Sequence, residues 1–211
     1  GSASGTIAAV SGHDEMTMRG EVVPVHDDGT LGTPVDTSTL GTASSLVNVG
    51  DRLAVARSTT ANACVISTLD LAVTSHGTSA GWGTAGQCTQ AAIGYSPGRR
   101  DALLVRHDMI DGDLNHVIAT RNGDAYTIPG ESRLRNPGNE PRPIGVADGY
   151  WVSYETGGTL EAAHVDVLGA VGTVVPLGPL GTTTAHDTFV VNGEPYAAWV
   201  QDGLEIARLC E

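Results

Sequence analysis

The sequence predicts an all-β protein. Three observations carry this reading. Short runs rich in Val, Ile and Thr alternate with Gly, Asn-Gly, Asp-Gly and Pro punctuation. No stretch sustains a helical period; the closest, residues 204–209, is too short for a helix. Gly fills 28 of 211 positions while aromatic residues make up only 4 %, a balance suited to many tight turns.

Charge and hydropathy narrow the class further. All eleven basic residues are Arg, and against 24 acidic residues they leave a net charge of −13. Such a surface repels phosphate backbones and anionic lipid headgroups, so nucleic acid and membrane surfaces are not expected partners. The missing Lys fits a GC-rich coding bias. A hydrophobic content of 40 % argues against wholesale disorder. No apolar run approaches the roughly 18–20 residues that span a bilayer, so a soluble globular chain without membrane insertion is expected. The length suits one sizeable core; residues 6–211 read as a single domain and residues 1–5 as an expression scar or linker.

The strands fall into a recurring unit: a short apolar strand, a Gly turn, a returning strand, a second turn and a third strand. The first unit takes residues 7–10, 16–18 and 21–25, and the second residues 46–49, 53–57 and 63–67. The third takes 92–95, 102–106 and 115–120, the fourth 144–149, 150–154 and 160–167, and the fifth 189–193, 196–200 and 204–209. A fourth, more variable strand follows at 34–35, 71–73, 125–128 and 172–177; the fifth unit lacks one. The anchors Ile7, Leu46, Ala92, Ile144 and Phe189 are 39, 46, 52 and 45 positions apart. Periods in the forties with four strands per unit predict a β-propeller of about five blades of three to four antiparallel strands. The alternative is a β-sandwich, which also spaces strands closely. Radial packing is favoured because a lone small sheet, apolar on both faces, buries neither. For the fifth unit, either residues near Thr6 supply the missing strand or the blade has three.

The repeat resembles that of secreted bacterial β-propellers, particularly units whose second strand carries Tyr and then Trp, here residues 196–199, with a Gly-rich turn. The resemblance spans nearly the whole chain but is architectural, and it implies no activity. It does imply where ligands gather: the loops leading into the innermost strands crowd one mouth of the central channel. Two residues before the anchors stand Gly5, Ser44, Gln90, Arg142 and Asp187, preceded by Ser4, Ala43, Thr89, Pro141 and His186. Gln90, Arg142, His186 and Asp187 are the expected ligand-binding residues of this mouth, suited to a small polar ligand such as a sugar. The plainer alternative is an Arg142–Asp187 salt bridge between blades.

Other candidates lie in two loops that break the repeat. Trp82, in the loop 74–87, is either a sugar-stacking platform or folded back onto its blade. Arg133 and Arg135, with Arg142 in the loop 130–143, form a cationic island that binds an acidic group or merely neutralises the surface. Asp108, Asp111 and Asp113 around Gly112 are weak candidates for Ca²⁺, the one cofactor considered, although the spacing matches no known calcium loop. His13, His26, His107 and His186 each precede an Asp, but neighbouring strand residues point to opposite faces, and the first three fall near turns. Cys64 and Cys88 form one disulfide, contributing roughly 3 kcal/mol, or stay buried thiols; Cys210 is left over.

No catalytic motif is present: neither Gly-x-Ser-x-Gly, nor a phosphate loop, nor His-Glu-x-x-His. The leading expectation is a non-catalytic extracellular, periplasmic or cell-surface module binding a carbohydrate or protein partner through loops at one face. The first alternative is a hydrolase or lyase acting on an extracellular polysaccharide, with His186 and Asp187 as acid–base pair. Five-bladed propeller glycosidases place carboxylates from separate blades around the channel; only Asp187 matches such a position here, with Glu140 the loop carboxylate able to reach inward. The second alternative is a structural module of a surface assembly tethered through Cys210.

Overall fold

A computed structural model describes residues 6–13, 19–26, 28–59, 61–73, 76–181 and 185–210. Among them there is no helix, only eighteen strands in four antiparallel sheets. The first sheet runs β1 (Thr6–His13), β2 (Arg19–His26), β3 (Val35–Asn48), β4 (Arg52–Thr59), β5 (Cys64–Asp70) and β6 (His76–Trp82). The second holds β7 (Cys88–Tyr95), β8 (Asp101–Asp108), β9 (Leu114–Asn122) and β10 (Ala125–Thr127), with the short β11 (Ser132–Arg135) also paired to β9. The third is β12 (Asn139–Val146), β13 (Gly149–Thr156), β14 (Thr159–Asp166) and β15 (Val171–Pro179). The fourth has three strands, β16 (His186–Val191), β17 (Glu194–Val200) and β18 (Leu204–Arg208).

Neighbouring sheets meet through their innermost strands, in the order β3, β7, β12 and β16, and the small sheets stand side by side as the blades of a β-propeller. Two middle strands show why this arrangement is stable. On β8, Ala102 and Leu104 face the core around the Cys64–Cys88 pair, while Leu103 and Val105 face the core shared with Tyr150, Val152 and Tyr154 of β13. On β13 itself, Trp151 points the other way, into a cluster with Ala162 and Ala197. Each middle strand is therefore apolar on both faces, and each face is covered by a different neighbouring blade.

The five sequence units form four sheets because β3 is 14 residues long. Its first half pairs with β2 up to Leu40 and its second half with β4 from Gly41 onward, so hydrogen bonding joins the first two units into one six-stranded sheet. The expected strand at 71–73 is a turn; the fourth strand of that unit is β6, which takes over half of the loop assigned to 74–87. Residues 16–18, read as a strand, lie outside the described residues. Thr6 pairs with His26 in the first sheet, and the sheet of β16–β18 has three strands. Cys64 and Cys88 form a disulfide between β5 and β7, with Cα atoms 5.5 Å apart, and Cys210 is an exposed free thiol.

Candidate functional site

The expected mouth lies where the inner strands β3, β7 and β12 begin. Three consecutive inner strands are irregular there: the pairing register shifts between Gly41 and Ala43 on β3, between Cys88 and Gln90 on β7, and between Asn139 and Arg142 on β12. Such bulges bend a strand and re-aim its side chains, and they recur beside binding sites. Glu140, inside the β12 bulge, holds φ at 48°, a left-handed conformation rare for a residue with a side chain. Just beyond these bulges a cavity of about 210 Å³ opens, lined by Ser45, Gln90, Glu140, Pro141 and Arg142 together with Ala91 and Ala92.

The cavity wall is tied together across blades. The Glu140 amide donates to Gln90 Oε1 (2.8 Å), which fixes the side-chain amide of Gln90 and leaves its NH₂ as a donor. Ser45 Oγ accepts from the Ile93 amide (3.3 Å). The Arg142 guanidinium is exposed and, among the described residues, reaches only its neighbour's carbonyl, Pro141 O, at 3.4 Å. Below it, Thr188 Oγ1 on β16 donates to the Arg142 carbonyl (2.7 Å). Donors and acceptors on a concave wall with small Ala side chains suit directed hydrogen bonding to a hydroxylated ligand.

Thus Gln90 and Arg142 share one cavity, as their place before the anchors suggests. Asp187 and His186 stand on the neighbouring strand but not in this wall. His186 is buried and Asp187 exposed, on opposite faces of β16, and the Asp187 carboxylate accepts the Thr188 amide (2.8 Å). The Arg142–Asp187 salt bridge does not occur among the described residues; Thr188 links these strands instead.

The remaining candidates sit elsewhere. Trp82 is not an exposed platform: it ends β6 at 6 % exposure, packed with Ile66, Ile93 and the disulfide. Arg133 and Arg135 do not offer a free cationic island. Arg133 Nε lies 2.5 Å from Asp113, Arg135 Nη2 2.9 Å from Glu161, and the loop's Glu131 grips Arg106. The hairpin-tip carboxylates named as weak Ca²⁺ candidates are likewise engaged within the protein. Asp108 pairs with Arg106 (2.9 Å) and accepts the Ile110 amide, Asp111 accepts the Asp113 amide, and Asp113 is taken by Arg133 and Asn136. Burial works to raise the Asp108 carboxyl, but the Ile110 amide and Arg106 outweigh it and hold it below the usual carboxylate range. No group of three or more metal-ligating side chains exists among the described residues. His107 is half-buried, which lowers its pKa against the pull of Asp108, and its Nδ1 lies 2.6 Å from Thr89 Oγ1.

Two features of the mouth escaped the sequence: Ser45, one residue past the expected rim position, and the three bulges. A bulge leaves little trace in a single sequence; the only local signal is the Glu140-Pro141 step, where Pro cannot donate to a ladder.

The blades and this mouth place the chain among β-propellers. Its fold is similar to that of an exo-β-1,3-galactanase from Phanerochaete chrysosporium, solved with β-1,3-galactotriose (TM-score 0.58, 10 % identity) and with galactose (TM-score 0.58, 11 % identity). Each match covers 90 % of this chain and 53 % of that one. The Dos1 propeller is similar as well, with a TM-score of 0.53 at 11 % identity over 88 % of this chain and 49 % of that one. The chain thus spans about half the length of these propellers. No protein-family profile and no curated protein sequence matches it.

Proposed function

We propose that the chain is a carbohydrate-binding β-propeller unit of an extracellular protein, which takes a neutral saccharide at the mouth cavity of β3, β7 and β12. The observation that carries this reading is the convergence of three bulged strand starts on one concave wall holding Ser45, Gln90 and Arg142. Galactose and a galactose oligomer are the first ligands to try, since the similar galactanase was solved with both. The disulfide supports an oxidising, extracellular setting. A glycan array followed by calorimetry tests the reading. Gln90→Ala and Arg142→Ala should each weaken the detected saccharide about tenfold, the effect of losing one good polar contact. Unchanged affinity in both variants contradicts it.

A hydrolase reading has one observation in its favour: Glu140 lines the same cavity. Glycoside hydrolysis needs two carboxylates roughly 5–10 Å apart, and Asp187 on the adjacent strand is the candidate for the second. Cleavage of a galactan, lost in both Glu140→Gln and Asp187→Asn, would establish it; binding without cleavage leaves the module non-catalytic.

A further inference from the structure

The strand ends remote from the mouth carry a second cavity, of about 320 Å³, where three turns converge: the β3–β4 turn at Gly50 and Asp51, the β7–β8 turn over 96–100, and the β9–β10 turn at Gly123. Its walls are Asp51, Arg99, Arg100, Arg121 and Gly123, so it gathers three of the eleven arginines of a chain whose net charge is −13. Arg121 is held rigidly. Its Nε donates to Gly123 O (2.8 Å) and its Nη1 to Val49 O (3.2 Å) and to Asp51 Oδ1 (2.5 Å), while Nη2 has no partner among the described residues. Arg99 Nη2 reaches Asp101 (3.3 Å), yet its Nε is buried without a hydrogen-bond partner. The exposed Arg100 side chain has no ion pair among the described residues; its carbonyl accepts the Arg121 amide (2.8 Å). Two tyrosines brace the turn from below, Tyr95 donating to Arg99 O (2.9 Å) and Tyr150 to Asp101 O (3.0 Å).

We propose that this lower cavity binds the carboxylate of a small acidic ligand of sugar-acid size. Guanidinium forks match a carboxylate in two parallel hydrogen bonds, and Arg100 and Arg121 offer unspent donors beside the cavity that Arg99 also lines. Three guanidiniums against Asp51 and Asp101 leave a surplus of one positive charge, which suits a monoanion; a phosphate dianion or a polyanion would meet both carboxylates. Asp51 itself shows the mode, because its carboxylate occupies one arm of Arg121 as an incoming ligand would. The volume lies at the lower end for ligand pockets and exceeds what a bare oxyanion needs. The inference does not depend on the mouth taking a sugar.

Calorimetry with sodium glucuronate, neutral glucose and sodium sulfate tests it on the wild-type chain, Arg100→Glu, Asp51→Asn and Arg142→Ala, with circular dichroism confirming each fold. Arg100 and Asp51 are exposed, so these changes leave the core intact. Glucuronate should bind where glucose does not, about tenfold or more weakly in Arg100→Glu and about threefold more tightly in Asp51→Asn, which releases Arg121. Arg142→Ala should leave glucuronate affinity unchanged. Equal binding of glucose and glucuronate, tighter binding of sulfate, no effect of Arg100→Glu, loss in Arg142→Ala or no glucuronate binding at all would each overturn the assignment.

Discussion

The two junctions made by β12 are built differently. Against β7 it packs backbone to backbone: a Cβ on Gly145 would fall 2.2 Å from the Tyr95 carbonyl, and one on Gly94 2.9 Å from Pro143. Polar ties span the same seam, Glu140 to Gln90 at the mouth and Ser96 Oγ to Val146 O (2.7 Å) at the far end. Against β16 the seam is looser. Val190, which takes the repeat position of Gly145, is 40 % exposed, β16 runs without a bulge, and Thr188 to Arg142 is a side-chain bond the two strands share. Equivalent repeat units therefore give unequal joints, and the mouth cavity lies along the tight one between β7 and β12. A binding wall gains from this, because donors held by a rigid seam need no ordering when a ligand arrives.

The sharpest way to break the comparison is to place an alanine at the equivalent position of each seam. Gly145→Ala collides with backbone that cannot turn aside, so urea unfolding should show a loss of about 3 kcal/mol. Val190→Ala, at the equivalent place in the other seam, should stay within about 0.5 kcal/mol. Equal losses would mean that the seams do not differ.

Alkaline titration comes next. Burial pushes Tyr150 and Tyr126 up to about 12, against a partial opposing pull from Arg99 and Arg121, and raises Tyr154 further still. A folded pKa above the unfolded value near 10 means the native state keeps a proton that the unfolded chain releases. Stability is then fully present below pH 10 and falls as the pH rises toward 12, by up to about 1.4 kcal/mol per pH unit for each such tyrosine. Tyr150 and Tyr154 both face the β7 side of β13, so Tyr150→Phe should flatten this alkaline fall. A fall of unchanged slope in that variant contradicts the assignment.

The smallest effect belongs to the loose seam. Thr188→Val removes the Thr188–Arg142 bond and should cost about 1 kcal/mol, with thermal melting as the readout. A loss as large as that of Gly145→Ala would show that β16 is bound as firmly as β7.

Much of this architecture was legible in the sequence, for identifiable reasons. Apolar runs bounded by Gly and Asn-Gly mark strands whose middle members are buried on both faces, as at 102–105 and 150–154, and these were placed correctly. The spacing of the anchors put Gln90 and Arg142 side by side, and the 24-residue separation of Cys64 and Cys88 allowed the disulfide they form. What stayed hidden depends on long-range partners. The Gly, Ser and Thr residues of 77–81 look like a loop, yet they form β6 because β5 offers a free edge, and Trp82 is buried by the disulfide it packs on. The 14 residues of β3 change partners midway without any Pro to mark the switch. Arg133 and Arg135 look free in the chain, while Asp113 and Glu161, which neutralise them, lie far along it. The lower cavity draws on three separate turns, and the adjacent Arg99 and Arg100 alone gave no hint of Arg121.

The mouth can be tested in a single titration of isotope-labelled protein with galactose and β-1,3-galactotriose, followed by NMR. If the tight seam forms the binding wall, the amides of Ser45, Gln90, Glu140 and Arg142 shift together and saturate, while those of β16–β18 stay still. Saturable shifts confined to other blades, or none with either sugar, would contradict the account.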